Sequence, residues 1–234
     1  MPERTLNMRL YISTNTTSSE TETITEMEYI NVSTSNNKMG HTIPSFSTPS
    51  VLTCPKNLPC FKGCYAHAYE LHRPNVKNSY LQNLKMLKKY PAKVAKAIIG
   101  YINLLGCRYF RFSVAGDVEV DGMKYINVIL MVAKSCPNCS FLLFTKSDKW
   151  NDIDPIPANL HIIYSNWGKW SIPNYVHNFP TSNVYHDGDD MTGKIVCPNS
   201  IDEKVKCENC HLCWKLTKPI TVWFKAHGIH KNDA

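Results

Sequence analysis

The apolar positions of this chain recur at helical spacing in three segments and form short runs between them. The first helical segment has apolar residues three and four positions apart: Tyr80, Leu81, Leu84 and Leu87. We expect this helix to begin at Asn78 or Ser79, because both side chains can cap a helix N-terminus. The second helix is expected to begin at Pro91 and to end at Gly106. Its apolar stripe consists of Val94, Ile98, Ile102 and Leu105.

A third helix and several strands follow the same alternation. The helix has its apolar face at Ile126, Ile129, Leu130 and Ala133. Residues 109–114 alternate between two faces, and residues 141–145 and 160–165 are apolar runs typical of buried parallel strands. Weaker strand candidates are residues 184–186, 195–196 and 220–224. Because strands alternate with helices, we predict a largely parallel α/β sheet with right-handed crossovers, of the partial (β/α)-barrel type.

The first 38 residues differ in composition from the rest of the chain. Residues 11–27 are dominated by Ser, Thr and Glu and contain neither Pro nor Gly. We expect residues 1–38 to be a partly ordered N-terminal arm, either an edge hairpin or a mobile segment. Residues 39–234 are then expected to form a single α/β domain, in which residues 195–216 hold a C-terminal group of cysteines.

Composition limits the class of protein. Of the 234 residues, 43% are hydrophobic, which is enough to bury a substantial core and excludes wholesale disorder. No apolar run approaches the roughly 18 residues of a membrane span, and residues 1–6 lack the apolar stretch of a secretory signal. We therefore expect a soluble cytoplasmic protein with no membrane partner. The net charge of +7 favours anionic partners such as nucleic acid, although a solvated surface of dispersed lysines accounts for it equally well.

Three cysteines lie close together in a segment with the spacing C-x5-C-x3-C: Cys54, Cys60 and Cys64. In a reducing cytoplasm we expect them to be metal ligands and not disulfide partners. A closed structural zinc site takes four ligands, whereas a 4Fe–4S cluster held by three cysteines leaves one iron open. We therefore predict an open-site 4Fe–4S cluster here, while His67, His72 or a distant cysteine stays open as a fourth ligand.

A second group supplies four cysteines: Cys197, Cys207, Cys210 and Cys213. A C-x2-C-x2-C run with a remote cysteine next to proline is typical of ferredoxin-type ligation, and four ligands make a closed site. We predict a second metal site, either a structural or electron-relay cluster or a four-cysteine zinc site. Cys136 and Cys139 have redox or zinc-knuckle spacing without a partner pair nearby, and Cys107 is most simply a core thiol.

Several predicted strands end in polar residues. Ligands of parallel α/β proteins bind at the carboxyl ends of the strands, where the loops converge. On this ground we predict a cofactor- and substrate-binding rim formed by Ser113, Gly116, Asp117, Lys146 and Asn166. For each of them alone, the role of an ordinary loop residue stays open, and Asp117 is also a good turn residue before the third helix.

Short motifs in a specific order then carry a family resemblance. They are residues 37–40 (NKMG), 43–47 (IPSFS), 53–55 (TCP), 64–66 (CYA), 110–117 (FRFSVAGD), 144–146 (FTK), 165–167 (SNW) and 207–214 (CENCHLCW). With them the chain resembles the gene product 88 family of phage and mobile-element proteins. The resemblance implies a protein in the cytoplasm of a host cell that carries a phage or mobile element, and it implies no particular reaction.

The chain is also similar, more loosely, to radical S-adenosylmethionine (SAM) enzymes. In those enzymes three cysteines after the first strand of a partial (β/α) barrel hold a 4Fe–4S cluster, and a glycine–acid stretch at the next strand end meets the amino group of the cofactor. The similarity implies that Gly116-Asp117 takes the place of that stretch and that the four C-terminal cysteines hold an auxiliary cluster. This chain departs from the family spacing C-x3-C-x2-C, and only one glycine precedes its acid.

Two functions compete on these observations. The first is an iron–sulfur enzyme of radical-SAM-like architecture with an unknown substrate, in which Ser113 and Asp117 position the cofactor and Lys146 and Asn166 face the substrate. The second is a nucleic-acid-associated phage or plasmid protein without catalysis, whose fold is stabilised by zinc or a metal cluster. The bases of a bound single-stranded nucleic acid would stack on aromatic residues of the protein such as Trp167, Trp170 and Tyr175. A structural iron–sulfur or zinc fold without catalysis is a third interpretation.

Overall fold

A computed structural model describes residues 7–12, 28–171, 178–216 and 219–226. Its strands are β1 Asn7–Tyr11, β2 Tyr29–Ser33, β3 Ser45–Phe46, β4 Tyr109–Phe112, β5 Ser140–Thr145, β6 Leu160–Ser165, β7 Thr181–Tyr185, β8 Ile195–Val196 and β9 Thr221–Lys225. Its α-helices are α1 Ser50–Thr53, α2 Tyr65–His72, α3 Pro74–Lys89, α4 Pro91–Leu105, α5 Lys124–Ser135, α6 Pro198–Ile201, α7 Cys207–Cys210 and α8 Leu212–Lys215. Two short 3₁₀ helices span Pro59–Gly63 and Asp148–Asp152.

The strands form one sheet in the order β1-β2-β3-β4-β5-β6-β7-β9-β8. The pairs β1–β2 and β2–β3 are antiparallel, and every pair from β3 to β8 is parallel. The predicted largely parallel α/β sheet is thereby confirmed. The sheet does not close into a barrel, because β3 pairs with β2 on one side and β4 on the other and so has no free edge to offer β8.

The sheet is nevertheless strongly curved. Phe144 on β5 and Phe224 on β9 are three strands apart in the sheet, which corresponds to about 14 Å in a flat sheet. Their ring centroids are only 5.8 Å apart. The face that carries these two rings is therefore concave.

Helices and the C-terminal segment cover opposite faces of the sheet. On β4, Phe110 and Phe112 are buried in the core beneath α3, α4 and α5, whereas Tyr109 and Arg111 point to the concave face. The concave face has its own apolar cluster, which includes Met39, Leu142, Ile163, Trp214 and Val222. The segment that carries the four C-terminal cysteines thus packs inside the curve of the sheet.

The predicted element boundaries are confirmed in part. Helix α4 begins at Pro91 and ends at Leu105, and Gly106 caps it in the left-handed conformation (φ 60°), as predicted. The predicted start of α3 at Asn78 or Ser79 is wrong, because Pro74 already occupies the first turn and Ser79 bonds to the carbonyl of Asn75 within the helix. Strand β4 ends before the predicted residue 114, since Ser113 adopts a positive φ of 53°.

The N-terminal strands are the antiparallel edge of the same sheet, as in the edge-hairpin alternative. Asn83 of α3 holds β2 in place: its side-chain NH₂ donates to the carbonyls of Asn31 and Ser47, each at 2.9 Å, and its oxygen accepts from the Asn31 N–H at 2.7 Å. Residues 1–6 and 13–27 of the predicted arm lie outside the described residues.

Among the described helices, none combines the length and apolar character needed to cross a membrane.

Candidate functional site

The three-cysteine loop follows the first parallel strand of the sheet. Cys54 comes directly after α1, Cys60 lies in the 3₁₀ helix Pro59–Gly63, and Cys64 immediately precedes α2. Burial raises the pKa of the Cys54 thiol, and the neighbouring Cys60 and Cys64 raise it further. The fold thus places the loop with the three predicted ligands at the carboxyl edge of the sheet, where parallel α/β proteins bind their ligands.

Thr53 anchors this loop to the end of β4. Its hydroxyl donates to the Pro49 carbonyl (2.7 Å) and accepts from the Asp117 N–H (3.1 Å), and its own carbonyl accepts from the Glu119 N–H (2.9 Å). Gly116 makes this approach possible, because a β-carbon there would collide with Thr48 and Thr53. The close contact that Gly116 permits is thus with Thr48 and Thr53 of the same chain.

Asp117 is a buried carboxylate that joins the ends of β4 and β5. One oxygen accepts from the Thr145 hydroxyl (2.6 Å) and the Val118 N–H (2.8 Å), and the other accepts from the Lys146 N–H (2.7 Å). Burial raises the pKa of Asp117 to about 6, although these hydrogen bonds oppose the rise. Asp117 therefore holds the ends of β4 and β5 in position relative to each other at the rim.

Lys146 follows β5 and lies at the same edge of the sheet as the three-cysteine loop. Its ammonium donates to the hydroxyl of Ser165 at 2.7 Å and to the same residue's carbonyl. It also lies 5.9 Å from the ring centre of Trp167 and 5.7 Å from that of Trp170. Burial lowers the pKa of Lys146, and the surrounding thiols and Asp117 oppose this effect. The result is a cation held at the same edge as the three predicted metal ligands.

The two remaining rim residues have different surroundings. Ser113 is buried, and its hydroxyl donates to the Tyr125 hydroxyl (3.3 Å) on the helical side of the sheet. Asn166 is partly exposed, and its backbone N–H donates to the Ser182 carbonyl (2.8 Å). Lys146 and Asp117 are thus gathered around the three-cysteine loop, whereas the Ser113 side chain is directed into the core.

The four C-terminal cysteines, Cys197, Cys207, Cys210 and Cys213, all line one small cavity of about 20 Å³. A cavity of this size has room for one occupant as small as a water molecule or a single ion. Burial raises the pKa of Cys213 to about 12, with Cys197 and Cys207 adding to the rise. The fold therefore brings the second predicted ligand set together as well.

The family model for gene product 88 matches residues 13–216. The chain belongs to the gene product 88 family. No curated protein and no solved structure matches it. The family membership inferred from the motifs is confirmed, whereas none of these findings supports the looser similarity to radical SAM enzymes, which stays a prediction.

The thiols of this gene product 88 protein fit a thiophilic metal by their chemistry. Soft thiolate ligands select zinc and iron–sulfur clusters, and all ten cysteines are free thiols. Within the described residues, no group of three or more Cys, His, Asp or Glu side chains has the geometry of a finished metal cage. Both groups would therefore need side-chain adjustment to hold a metal.

A third group of thiols was not expected from the sequence. Cys107 precedes β4, and the raised pKa of Cys139, due first to burial, also reflects the proximity of Cys107 and Cys136. The side-chain NH₂ of Asn159 donates to the carbonyls of Cys136 and Cys139 and so holds their turn. These thiols lie in the apolar core at the amino edge of the sheet, which suits a packing role in this gene product 88 protein.

Proposed function

We propose that this gene product 88 protein is an iron–sulfur protein of radical-SAM-like architecture. In this proposal Cys54, Cys60 and Cys64 hold a 4Fe–4S cluster with one open iron. The observation that carries the proposal is that the three-cysteine loop after β3 and Lys146 after β5 lie at the same carboxyl edge of a parallel sheet.

The order of the strands supports the proposal. Strands β3, β4, β5, β6 and β7 follow one another in the sheet as they do in the chain. The three-cysteine loop follows the first of these strands, and Gly116-Asp117 follows the second, as in the similarity described above.

The proposal assigns roles to the rim residues of this chain. When bound, an open-site cluster supplies an electron to a cofactor at its open iron, and we propose SAM as that cofactor. Lys146 places a positive charge beside the three thiolates and lowers the cost of keeping them ionised. Asp117 positions the strand ends that carry Lys146, while the partly exposed Asn166 faces the substrate.

The C-terminal group is proposed to be a closed metal site. Its cavity of about 20 Å³ is closer in size to a single zinc ion than to a 4Fe–4S cluster, so zinc requires the smaller side-chain adjustment. The metal content of the protein distinguishes these two forms of the site.

The experiment is anaerobic purification followed by measurement of the visible spectrum and of iron, sulfide and zinc per chain. We expect brown protein, and we expect Cys60→Ala to lose about half or more of the iron, because a three-ligand cluster does not survive the loss of a ligand. Cys107→Ala is the matched control and should keep the full metal content. Colourless wild-type protein that contains no iron after reconstitution would refute the proposal.

Binding of the cofactor is tested separately on the reconstituted protein. Titration with SAM followed by electron paramagnetic resonance of the reduced protein should show an altered cluster signal. An unchanged signal at millimolar SAM would leave the iron–sulfur assignment standing and refute the SAM assignment.

The nucleic-acid-associated function receives less support from the aromatic residues. The backbones of Trp167 and Trp170 pair with each other, and Lys146 lies close to both rings, so these rings belong to the rim. Tyr175 lies outside the described residues. Fluorescence anisotropy with a labelled single-stranded oligonucleotide tests this alternative, and salt-dependent binding that Trp170→Ala weakens would favour it.

A further inference from the structure

The concave face of the sheet contains an arginine with one buried donor that is unsatisfied among the described residues. The Nε atom of Arg111 is buried, and no described residue accepts a hydrogen bond from it. The guanidinium carbon lies 5.0 Å from the ring centre of Phe144, so the group is held against an aromatic face. A buried donor without an acceptor is costly, and such a group in a folded protein is commonly completed by a ligand or an ordered water.

A second cation lies next to it. The ammonium of Lys38 lies 4.7 Å from the ring centre of Phe224, and the rings of Phe224 and Phe144 contact each other edge to face. Arg111 and Lys38 are therefore held against the two rings of one pair. Among the described residues, neither cation forms an ion pair with a carboxylate. The pair of cations is thus without an anionic partner in this part of the chain.

The position of the two cations relates them to the proposed metal sites. The Lys38 carbonyl accepts a hydrogen bond from the Cys207 N–H (3.0 Å). The two rings that contact the cations, Phe144 and Phe224, pack in one apolar cluster with the cysteines Cys197, Cys207 and Cys213. On the other side, the hydroxyl of Tyr65, which directly follows Cys64, donates to the carbonyl of Val114 (3.4 Å), a residue of the same apolar cluster. Arg111 therefore lies between the two groups of cysteines. Its buried Nε–H has no acceptor among the described residues, so this donor is available to an oxygen atom.

We propose that Arg111 and Lys38 bind an oxyanion, the carboxylate or phosphate group of the substrate, on the concave face between the two cysteine groups. The inference rests on the proposed function in taking the ligand to be the substrate of the open-site cluster. A guanidinium presents parallel N–H donors that match two oxygens of a carboxylate or phosphate, and a nearby ammonium adds a second charge. In a partly desolvated site such charge-assisted bonds are stronger than in water.

The test is isothermal titration calorimetry of the full-length, anaerobically purified protein at low salt with two probes, inorganic phosphate and succinate. We expect at least one probe to bind in the millimolar range or tighter. Arg111→Met and Lys38→Met should each raise its Kd by about tenfold or more, and Arg111→Lys should have an intermediate effect. The probe that binds more tightly identifies the ligand group as phosphate or carboxylate.

Arg108→Met is the matched control, because Arg108 is an exposed arginine three residues before Arg111. This variant should bind like the wild type within about twofold. If neither probe binds, or if Arg108→Met weakens binding as much as Arg111→Met, the proposal is overturned. Circular dichroism checks folding, and if Arg111→Met does not fold, Lys38→Met and Arg111→Lys decide the question.

The metal content of the same samples separates this inference from the proposed function. Oxyanion binding that depends on Arg111 in protein without iron supports the oxyanion site and contradicts the iron–sulfur assignment. Iron-loaded protein that binds neither probe overturns the oxyanion site alone. In that case the two cations serve only to balance the charge of the C-terminal thiolates.

Discussion

The carboxylate of Glu208 fills the space that a β-carbon on Gly40 would occupy. One oxygen of this carboxylate accepts from the N–H groups of His41 (2.8 Å) and Thr42 (3.0 Å) and from the Thr42 hydroxyl (2.9 Å). Although burial opposes the effect, these bonds hold the pKa of Glu208 below its ordinary value. Because Glu208 lies inside the C-terminal cysteine segment, this contact docks that segment onto the loop before β3.

Gly40→Ala is therefore expected to destabilise the protein by about 1–3 kcal/mol, since the new methyl group displaces Glu208 from its site. The measurement is the free energy of unfolding in urea, together with the metal content. Gly188→Ala is the control, because Gly188 has a similar φ (100°, against 92° for Gly40) and nothing within 4 Å of its would-be β-carbon. Equal losses in the two variants would show that backbone strain, and not the contact with Glu208, sets the cost.

Gly116→Ala should displace the three-cysteine loop, because the added methyl group collides with Thr48 and Thr53 at its base. We expect a loss of stability of about 1–3 kcal/mol and a fall in iron bound by the reconstituted protein. Gly122→Ala provides the comparison, since Gly122 also has a positive φ (65°) but open space around it. Normal iron content in Gly116→Ala would contradict this role of the glycine.

Asn83→Ala removes the side chain that pins β2 to α3. It leaves the Asn31 N–H and two carbonyls without their partner, at a cost of about 3 kcal/mol. Chemical denaturation monitored by circular dichroism measures the loss. Asn78→Ala, at an exposed position on the same helix, should change stability by less than about 0.5 kcal/mol. Similar values for the two variants would contradict the role of Asn83.

Cys210→Ala tests the C-terminal metal site. A structural metal supplies on the order of 10 kcal/mol to folding, so this variant is expected to be unstable or insoluble. Expression yield, thermal denaturation and metal content give the result, with Cys136→Ala as the comparison outside the site. Soluble Cys210→Ala protein with undiminished metal would remove the basis for the site.

Asp117 is expected to impose a pH dependence on the stability of the protein. Its pKa is about 6 in the folded state, because of burial, against about 3.9 in an unfolded chain. The raised value means that the stabilisation is fully present below about pH 4 and is lost as the pH rises to about 6, on the order of 3 kcal/mol in all. Asp117→Asn should flatten the stability profile over this window. Urea denaturation at several pH values tests it, and a profile of unchanged slope would count against the prediction.

Local features of this chain were predictable from the sequence because their causes lie within a few residues. The apolar period, Pro91 and Gly106 determine α4, and the apolar runs of β5 and β6 match the observed strands. The crowding of Cys54, Cys60 and Cys64 is equally a property of one loop. The strands between helices likewise indicated a parallel sheet, since a parallel connection requires a crossover.

Only the tertiary structure decided which distant residues meet. The order and curvature of the sheet bring Lys146 to the three-cysteine loop, Phe144 to Phe224, and Cys107 to the turn that holds Cys136 and Cys139. The carboxylate of Asp117 illustrates the difference: its place at a strand end was predictable, but its bonds to Thr145 and Lys146 depend on β5 lying next to β4. Side-chain periodicity specifies which face of an element a residue occupies. The strand order and the docking of the C-terminal segment specify what lies opposite that residue. Both depend on contacts between residues far apart in the chain, which local patterns do not reveal.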